Sequence, residues 1–334
     1  MLKRIKKNLT VVGFFLLGIV LTAVIMSFFG FYEVLGMLLR ANMYYVGLAI
    51  ALHIVTVLIL TWRLHIIVRK YKPLSWRKAF RVTFTGLFVN YITPVMKVGG
   101  EPVKIYLLNK DLGGSKATAT IAIDTFVEIM SSYISFFLIF VLFFPLLPEE
   151  LFIYYVLFLI GVLASSLAFL KISLTHRWLK KIIDFGMNKA SRFIKIEKKD
   201  YASMFHESFR ILLKDKKTMM YSLSVSLLGK VFEFLRMYVV FLALGLVLPW
   251  SVVIVVWAFL LILYIIPWLP GGLGLIEGGL AFAFVTLGVP SAIAASGAIL
   301  DRIITFWLII FVGIVLVSFY AWELKGIKNE IKRK

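Results

Sequence analysis

Long apolar runs separated by short basic stretches make up most of this chain. A run of about 20 apolar residues begins at Val11 behind Lys3, Arg4, Lys6 and Lys7, and it predicts a membrane-crossing helix, because about 20 residues span a hydrocarbon core of about 30 Å. The run is too long for a signal-peptide core and has no small-residue cleavage site before Glu33, so it reads as a retained first span. A short loop at 32–42 leads to a second span at 43–62. Trp62 to Arg81 then carries seven Lys/Arg and no acid. Residues 79–93 are apolar but too short for a full crossing, and the polar break TPVMKVGGEP at 93–102 interrupts them. Residues 103–109 predict a second short helix with Pro102 in its first turn, where the missing N–H is no loss. Together these pieces predict a re-entrant hairpin over 79–109, followed by a span at 117–145 carrying Asp124 and Glu128.

The pattern then recurs. After PLLPEE at 145–150 comes a span at 151–170, then a polar stretch at 171–217 with thirteen Lys/Arg and five acids, read as surface helices lying on lipid headgroups. A span at 219–247 contains Lys230, Glu233 and Arg236. A second broken hairpin covers 251–287 and is split by PWLPGGLGLIEGG at 267–279, and a last span at 291–321 carries Asp301 and Arg302. Pro94 and Pro270 are 176 positions apart, as are Glu101 and Glu277, while Asp124 and Asp301 are 177 apart. The same spacings in the same order predict an internal duplication, with a first repeat at 1–147 and a second at 148–334.

Composition fixes the class. Of the 334 residues 61% are hydrophobic, against roughly 45 to 50% in soluble domains, and the apolar runs are continuous where barrel strands would alternate. The expected fold is an all-α integral membrane protein with about six full spans and two re-entrant broken-helix hairpins. With no cysteine and four histidines in no ligand-like spacing, no metal site is expected, and no cofactor motif appears.

The net charge of +20 is read first as a topology signal, not as nucleic-acid binding. With six crossings, 32 of the 37 Lys/Arg fall on the side of the termini and Arg40 alone falls in an opposite loop, which predicts cytoplasmic termini in a multi-pass cell-membrane protein. Three crossings per repeat make the two repeats opposite in orientation. That is the inverted-topology arrangement in which broken helices meet near the midplane to build a substrate site.

Ten charged residues fall inside predicted membrane segments: Glu101, Asp124, Glu128, Glu233, Glu277 and Asp301 with Lys97, Lys230, Arg236 and Arg302. Each costs about 2.5 to 3.5 kcal/mol at the bilayer centre on insertion scales, so together they require protein or water around them. The second helix of each hairpin starts just past Gly99–Gly100 or Gly271–Gly272, and its free N–H groups and positive dipole end suit an anion. With Arg302, Arg236 and Lys230 reaching inward, the interior suits a phosphate-bearing group. The acids could pair with these bases or bind a coupling proton or sodium ion. Plain structural readings stand beside these: glycines for close packing, Lys230, Glu233 and Arg236 as a self-neutralising ladder, and Asp301 with Arg302 as a static pair.

TPVMKVGGEPVKIYLL, PGGLGLIEGG and the Leu300–Arg302 run resemble the flippase-like transmembrane region of the lysylphosphatidylglycerol synthetase family over nearly the whole chain. In fused members of that family this region is thought to move the modified lipid while a separate soluble domain performs aminoacylation; no such domain lies within these residues. The resemblance implies lipid translocation, with Pro94, Gly99, Gly100, Glu101, Pro270, Gly271, Gly272, Glu277 and Arg302 as motif matches. The leading expectation is therefore a non-enzymatic translocase for an anionic phospholipid or polyprenyl phosphate, without nucleic-acid partners. An ion-coupled carrier for a small anion and a membrane-embedded lipid-modifying transferase are the alternatives.

Overall fold

The computed structural model describes residues 2–93, 99–143, 160, 201–263 and 270–316. Every regular element among the described residues is helical. The order is α1 (Leu2–Phe28), α2 (Phe31–Leu39), α3 (Met43–Val68), α4 (Trp76–Ile92), α5 (Glu101–Leu112), α6 (Gly114–Phe143), α7 (Tyr201–Lys214), α8 (Lys216–Ala243), α9 (Trp250–Leu263), α10 (Leu275–Thr286) and α11 (Ser291–Arg302). Beyond Arg302, α11 passes through a wider π-helical turn (Ile303–Trp307) and continues to Leu316. The expected span at 151–170, residues 171–200, the tail beyond 316, Pro94 and Lys97 lie outside the described residues.

Three described helices are long and apolar enough to cross a membrane: α3, α6 and the α11 run to Leu316. The expected loop at 32–42 is largely helix α2, bent by 106° from α1. Its apolar residues Phe31, Val34, Leu35 and Leu38 recur at three- and four-residue spacing; α2 packs on α11 with Val34 fully buried, while Phe31 and Leu35 stay exposed. Along α1, by contrast, Leu16, Ile19, Val20 and Val24 stay exposed, as residues facing hydrocarbon would.

The chain forms two compact units, each drawing on both halves of the sequence. The first takes residues 1–55, 84–100 and 232–334. There α9 packs on α10 and α10 on α11, and Ala49, Val240, Ala243, Leu300 and Ile304 form one apolar cluster. The second takes residues 56–83 and 101–231. Its core joins Leu64 and Val68 of α3, Ala79 and Val82 of α4, Leu108 and Leu112 of α5, and Ala117 and Ile121 of α6. Helix α7 lies on α6 through Phe205, Phe209 and Leu212, buried with Ile67, Ala119, Ile123 and Val127. This corrects the expectation that 171–217 lies wholly on headgroups: the apolar stripe of α7 is already covered by protein, so it is not available to lipid.

The described residues just past each break are closely packed. Gly100 donates its N–H to Asn90 Oδ1 at 2.6 Å, and a Cβ at Gly100 would strike the Gly86 carbonyl oxygen, so the chain after the break can lie against α4 only without a side chain here. In the second hairpin Gly271, Gly272 and Gly274 all take positive φ, and α10 starts directly from this turn.

Candidate functional site

Eight of the ten expected inward-facing charges fall into two clusters, one within each unit; Lys97 lies outside the described residues, and Glu233 lies on α8 between Lys230 and Arg236. In the second unit Asp124 and Glu128, one helical turn apart on α6, share a face and both meet Arg63 of α3. The Arg63 Nε donates to Asp124 Oδ1 at 2.7 Å, while Nη1 donates to Glu128 Oε2 and, at 2.9 Å, to Ser226 Oγ of α8. Ser226 in turn donates to Ser131 Oγ at 2.9 Å. Lys230 of α8 donates to Glu128 Oε1 at 2.9 Å. On α5, Lys104 Nζ lies 3.1 Å from Glu101 Oε1 and 3.6 Å from Asp124 Oδ2. Thr125 Oγ1 donates to Glu101 Oε2 at 3.4 Å. Three cations thus face three carboxylates on four helices, and the set is neutral.

The burial within this cluster is uneven. The side chains of Arg63, Lys230 and Asp124 are 5%, 6% and 3% exposed, whereas Glu128 is 31% exposed. Its carboxylate is the open edge of a cluster whose cations are sealed.

In the first unit Arg236 of α8 donates to Asp301 Oδ1, and both side chains are buried. Arg302 Nε donates to Glu277 Oε1 at 2.9 Å, and Nη2 donates to the Gly271 carbonyl at 2.5 Å. Phe306 places its ring 4.7 Å from the guanidinium carbon, a cation–π contact. The other oxygen of Glu277 accepts the Gly274 N–H at 2.8 Å, capping α10. One carboxylate thereby closes the glycine turn, caps the helix and holds Arg302. The negative group at this helix N-terminus is the protein's own.

The reading of Asp301 and Arg302 as a mutual pair is corrected. Successive helix positions point about 100° apart, so Asp301 meets α8 and Arg302 meets α10. Lys230 bonds α6 and Arg236 bonds α11, so each has a partner beyond its own helix. Gly99 packs on Thr93, and Gly272 sits against Ile276.

Two participants were missed. Ending the second span at 62 puts Arg63 with the loop bases, yet α3 runs on to Val68 and buries it. The apolar residues Leu64, Ile66, Ile67 and Val68 were the signal that the helix continues. Lys104 falls in the predicted short helix but counts with the bases on the side of the termini, although it follows Glu101 by three residues and so lies one turn along the same helix face. Neither belongs in the cytoplasmic count.

Arg63 also adds to the recurrence of spacings. The order α3, α4, α5, α6 recurs as α8, α9, α10, α11, and in each set an arginine of the first long helix pairs with an aspartate of the last. Arg63 and Arg236 are 173 positions apart, close to the offsets of the glutamates and aspartates.

Comparison with known proteins places the chain among membrane proteins. The family described as Lysylphosphatidylglycerol synthase TM region matches residues 15–313. A UPF0104 membrane protein of Methanothermobacter thermautotrophicus is 28% identical over 319 residues, covering 91% of this chain and 94% of that protein. One from Pyrococcus horikoshii is 25% identical over 322 residues, covering 90% and 95%. Another from Methanocaldococcus jannaschii is 25% identical over 328 residues, covering 93% of each.

Proposed function

The chain belongs to the lysylphosphatidylglycerol synthase TM region family, and from that membership we propose that it is a lipid translocase. It passes the charged headgroup of an anionic or phosphate-bearing lipid through the helical interior, performs no covalent chemistry and leaves the acyl chains in the bilayer. The observation that carries this reading is the cluster of Arg63, Lys104 and Lys230 held by Asp124, Glu128 and Glu101. Apolar side chains of similar volume would often pack as stably as buried ion pairs, so six charges among membrane helices point to a polar task. Buried guanidinium and ammonium groups are the donors a phosphate needs, and a partly open carboxylate gives a way in.

The reading includes an inverted pair of repeats, six spans, two re-entrant hairpins and cytoplasmic termini. The one-sided distribution of loop bases and the recurrence of helix order support it. The absence of a GxxxxGK[ST] loop from the sequence supports transport without nucleotide hydrolysis.

The test is reconstitution. Liposomes containing the protein should expose a headgroup-labelled phosphatidylglycerol to an impermeant quencher faster than protein-free liposomes, with or without ATP. Equal rates with and without protein, or a strict requirement for ATP in the purified system, would refute the reading.

A further inference from the structure

Glu128 is bonded to two buried cations from two other helices, Arg63 and Lys230, through different carboxylate oxygens. That is how a phosphate oxyanion would be held, with one oxygen on the guanidinium and another on the ammonium. Ser131 and Ser132 donate to the Glu128 backbone carbonyl and leave the carboxylate to the cluster.

Resting on the translocase reading, we propose that Glu128 is a resident stand-in for the substrate's phosphate, and that uptake of one proton by Glu128 releases Arg63 and Lys230 to bind a phosphodiester headgroup. Charge balance sets the class of ligand. Protonation of Glu128 removes one negative charge from the cluster. A singly charged phosphodiester restores the resting charge, whereas a doubly charged phosphomonoester overshoots it. Binding therefore takes one proton per phosphodiester, and the buried cations are never left without a counter-charge.

Among the described residues, these groups face Glu128. From α3 there is Arg63, which Asp124 continues to hold through Nε. From α8 there are Lys230 and Ser226. From α5, Lys104 and Glu101 stand behind Asp124. Helix α7 meets α6 through the apolar Phe205, Phe209 and Leu212. Glu128 combines bonds to two cations with the most open side chain in the set, so it is the carboxylate that water and a headgroup can reach.

The experiment follows thermal unfolding of the purified full chain between pH 5 and pH 8 with two probes that do not titrate in that range. One is dimethyl phosphate and the other is short-chain phosphatidylglycerol, with chloride at equal ionic strength as the control. In the wild-type protein both probes should raise Tm at pH 5 and far less at pH 8, the apparent affinity changing by up to about tenfold per pH unit. Glu128→Gln should bind at pH 8 as tightly as the wild type does at pH 5. The neutral double variant Glu128→Gln with Lys230→Met should respond at neither pH. Glu101→Gln, which removes the carboxylate on Lys104, should keep the wild-type pH profile.

A pH-independent wild-type response, or an unchanged pH profile in Glu128→Gln, overturns the proposal. The wild-type series decides the question alone if Glu128→Gln does not fold. Lipid translocation that proceeds without this pH dependence would sink the proton-linked site and leave the translocase reading standing. Binding of dimethyl phosphate without phosphatidylglycerol would support the site and overturn the lipid as its ligand, and with it the translocase reading.

Discussion

Removing Arg302 should damage the fold through Glu277 and not through its sequence neighbour. Both Arg302 and Glu277 side chains are 1% exposed and lie 2.9 Å apart, so at an effective dielectric near 20 their attraction is about 6 kcal/mol before desolvation is counted. Most of that gain offsets the cost of burying two charges. Either single change therefore leaves one uncompensated charge, at a cost of about 3–5 kcal/mol. Arg302→Met should reach the upper part of that range, because it also loses the Gly271 carbonyl and the Phe306 face. Glu277→Gln keeps an oxygen to accept the Gly274 N–H but leaves Arg302 charged and unmatched. The double variant is neutral and should lose no more than either single change, which gives a coupling at least as large as the greater single cost. The assay is reversible unfolding in mixed micelles, with all four proteins measured at one detergent ratio. Additive single costs would refute the reasoning, because they would mean that the two charges do not depend on each other.

Other expectations follow from the same geometry. Arg63→Met strands Asp124 and Glu128 and should cost about 3–5 kcal/mol and abolish translocation. Arg63→Lys, which keeps the charge but not the fork of donors, should retain part of both, as unfolding and quenching assays can show. Gly100→Ala places a Cβ against the Gly86 carbonyl and should destabilise by about 1–3 kcal/mol, whereas Gly36→Ala inside α2 meets open space and should stabilise by about 0.5–1 kcal/mol. Asp215, outside the spans, bonds Lys70 at 2.6 Å and caps α8 through the Thr218 N–H, and these bonds hold its carboxyl down at about 2. Its contribution is complete above the ordinary carboxylate range, near 4, and is lost as pH falls through about 2, so stability profiles of Asp215→Asn and wild type should converge only in strong acid. Single cysteines replacing the exposed Lys110 and Leu287 should react with an impermeant maleimide from opposite sides of the membrane; labelling of both from one side would refute inverted repeats.

The sequence makes the helical class and the two breaks legible because both rest on local physics: continuous apolar runs, and Pro and Gly where a helix cannot continue. It also points to Asp124, Glu128, Glu277 and Arg302, since a charge in an apolar run is conspicuous. The partners are harder to read. Arg63 sits at the edge of its apolar run, where an arginine looks like a loop residue, and only the extension of α3 to Val68 reveals it as the centre of the cluster. Adjacency suggested a pair of Asp301 and Arg302, but the helical rotation of about 100° sends them to different neighbours. The apolar stripe on α7 is plain in the sequence, yet a stripe does not say whether lipid or α6 will cover it. Helix α2, only nine residues long, owes its stability to packing on α11 and not to its own length.

The central claim is that the headgroup passes through the buried cluster, and the most direct measurement of this is the route itself. Phosphatidylglycerol carrying a photoactivatable group on its head, trapped by a flash during translocation in liposomes, can be mapped to the protein by peptide sequencing. Adducts should concentrate on segments around Arg63, Glu128 and Lys230 and disappear in the neutral double variant Glu128→Gln with Lys230→Met. Adducts confined to exposed apolar positions such as Leu16, Ile19 and Val20 of α1, while translocation continues, would contradict the account.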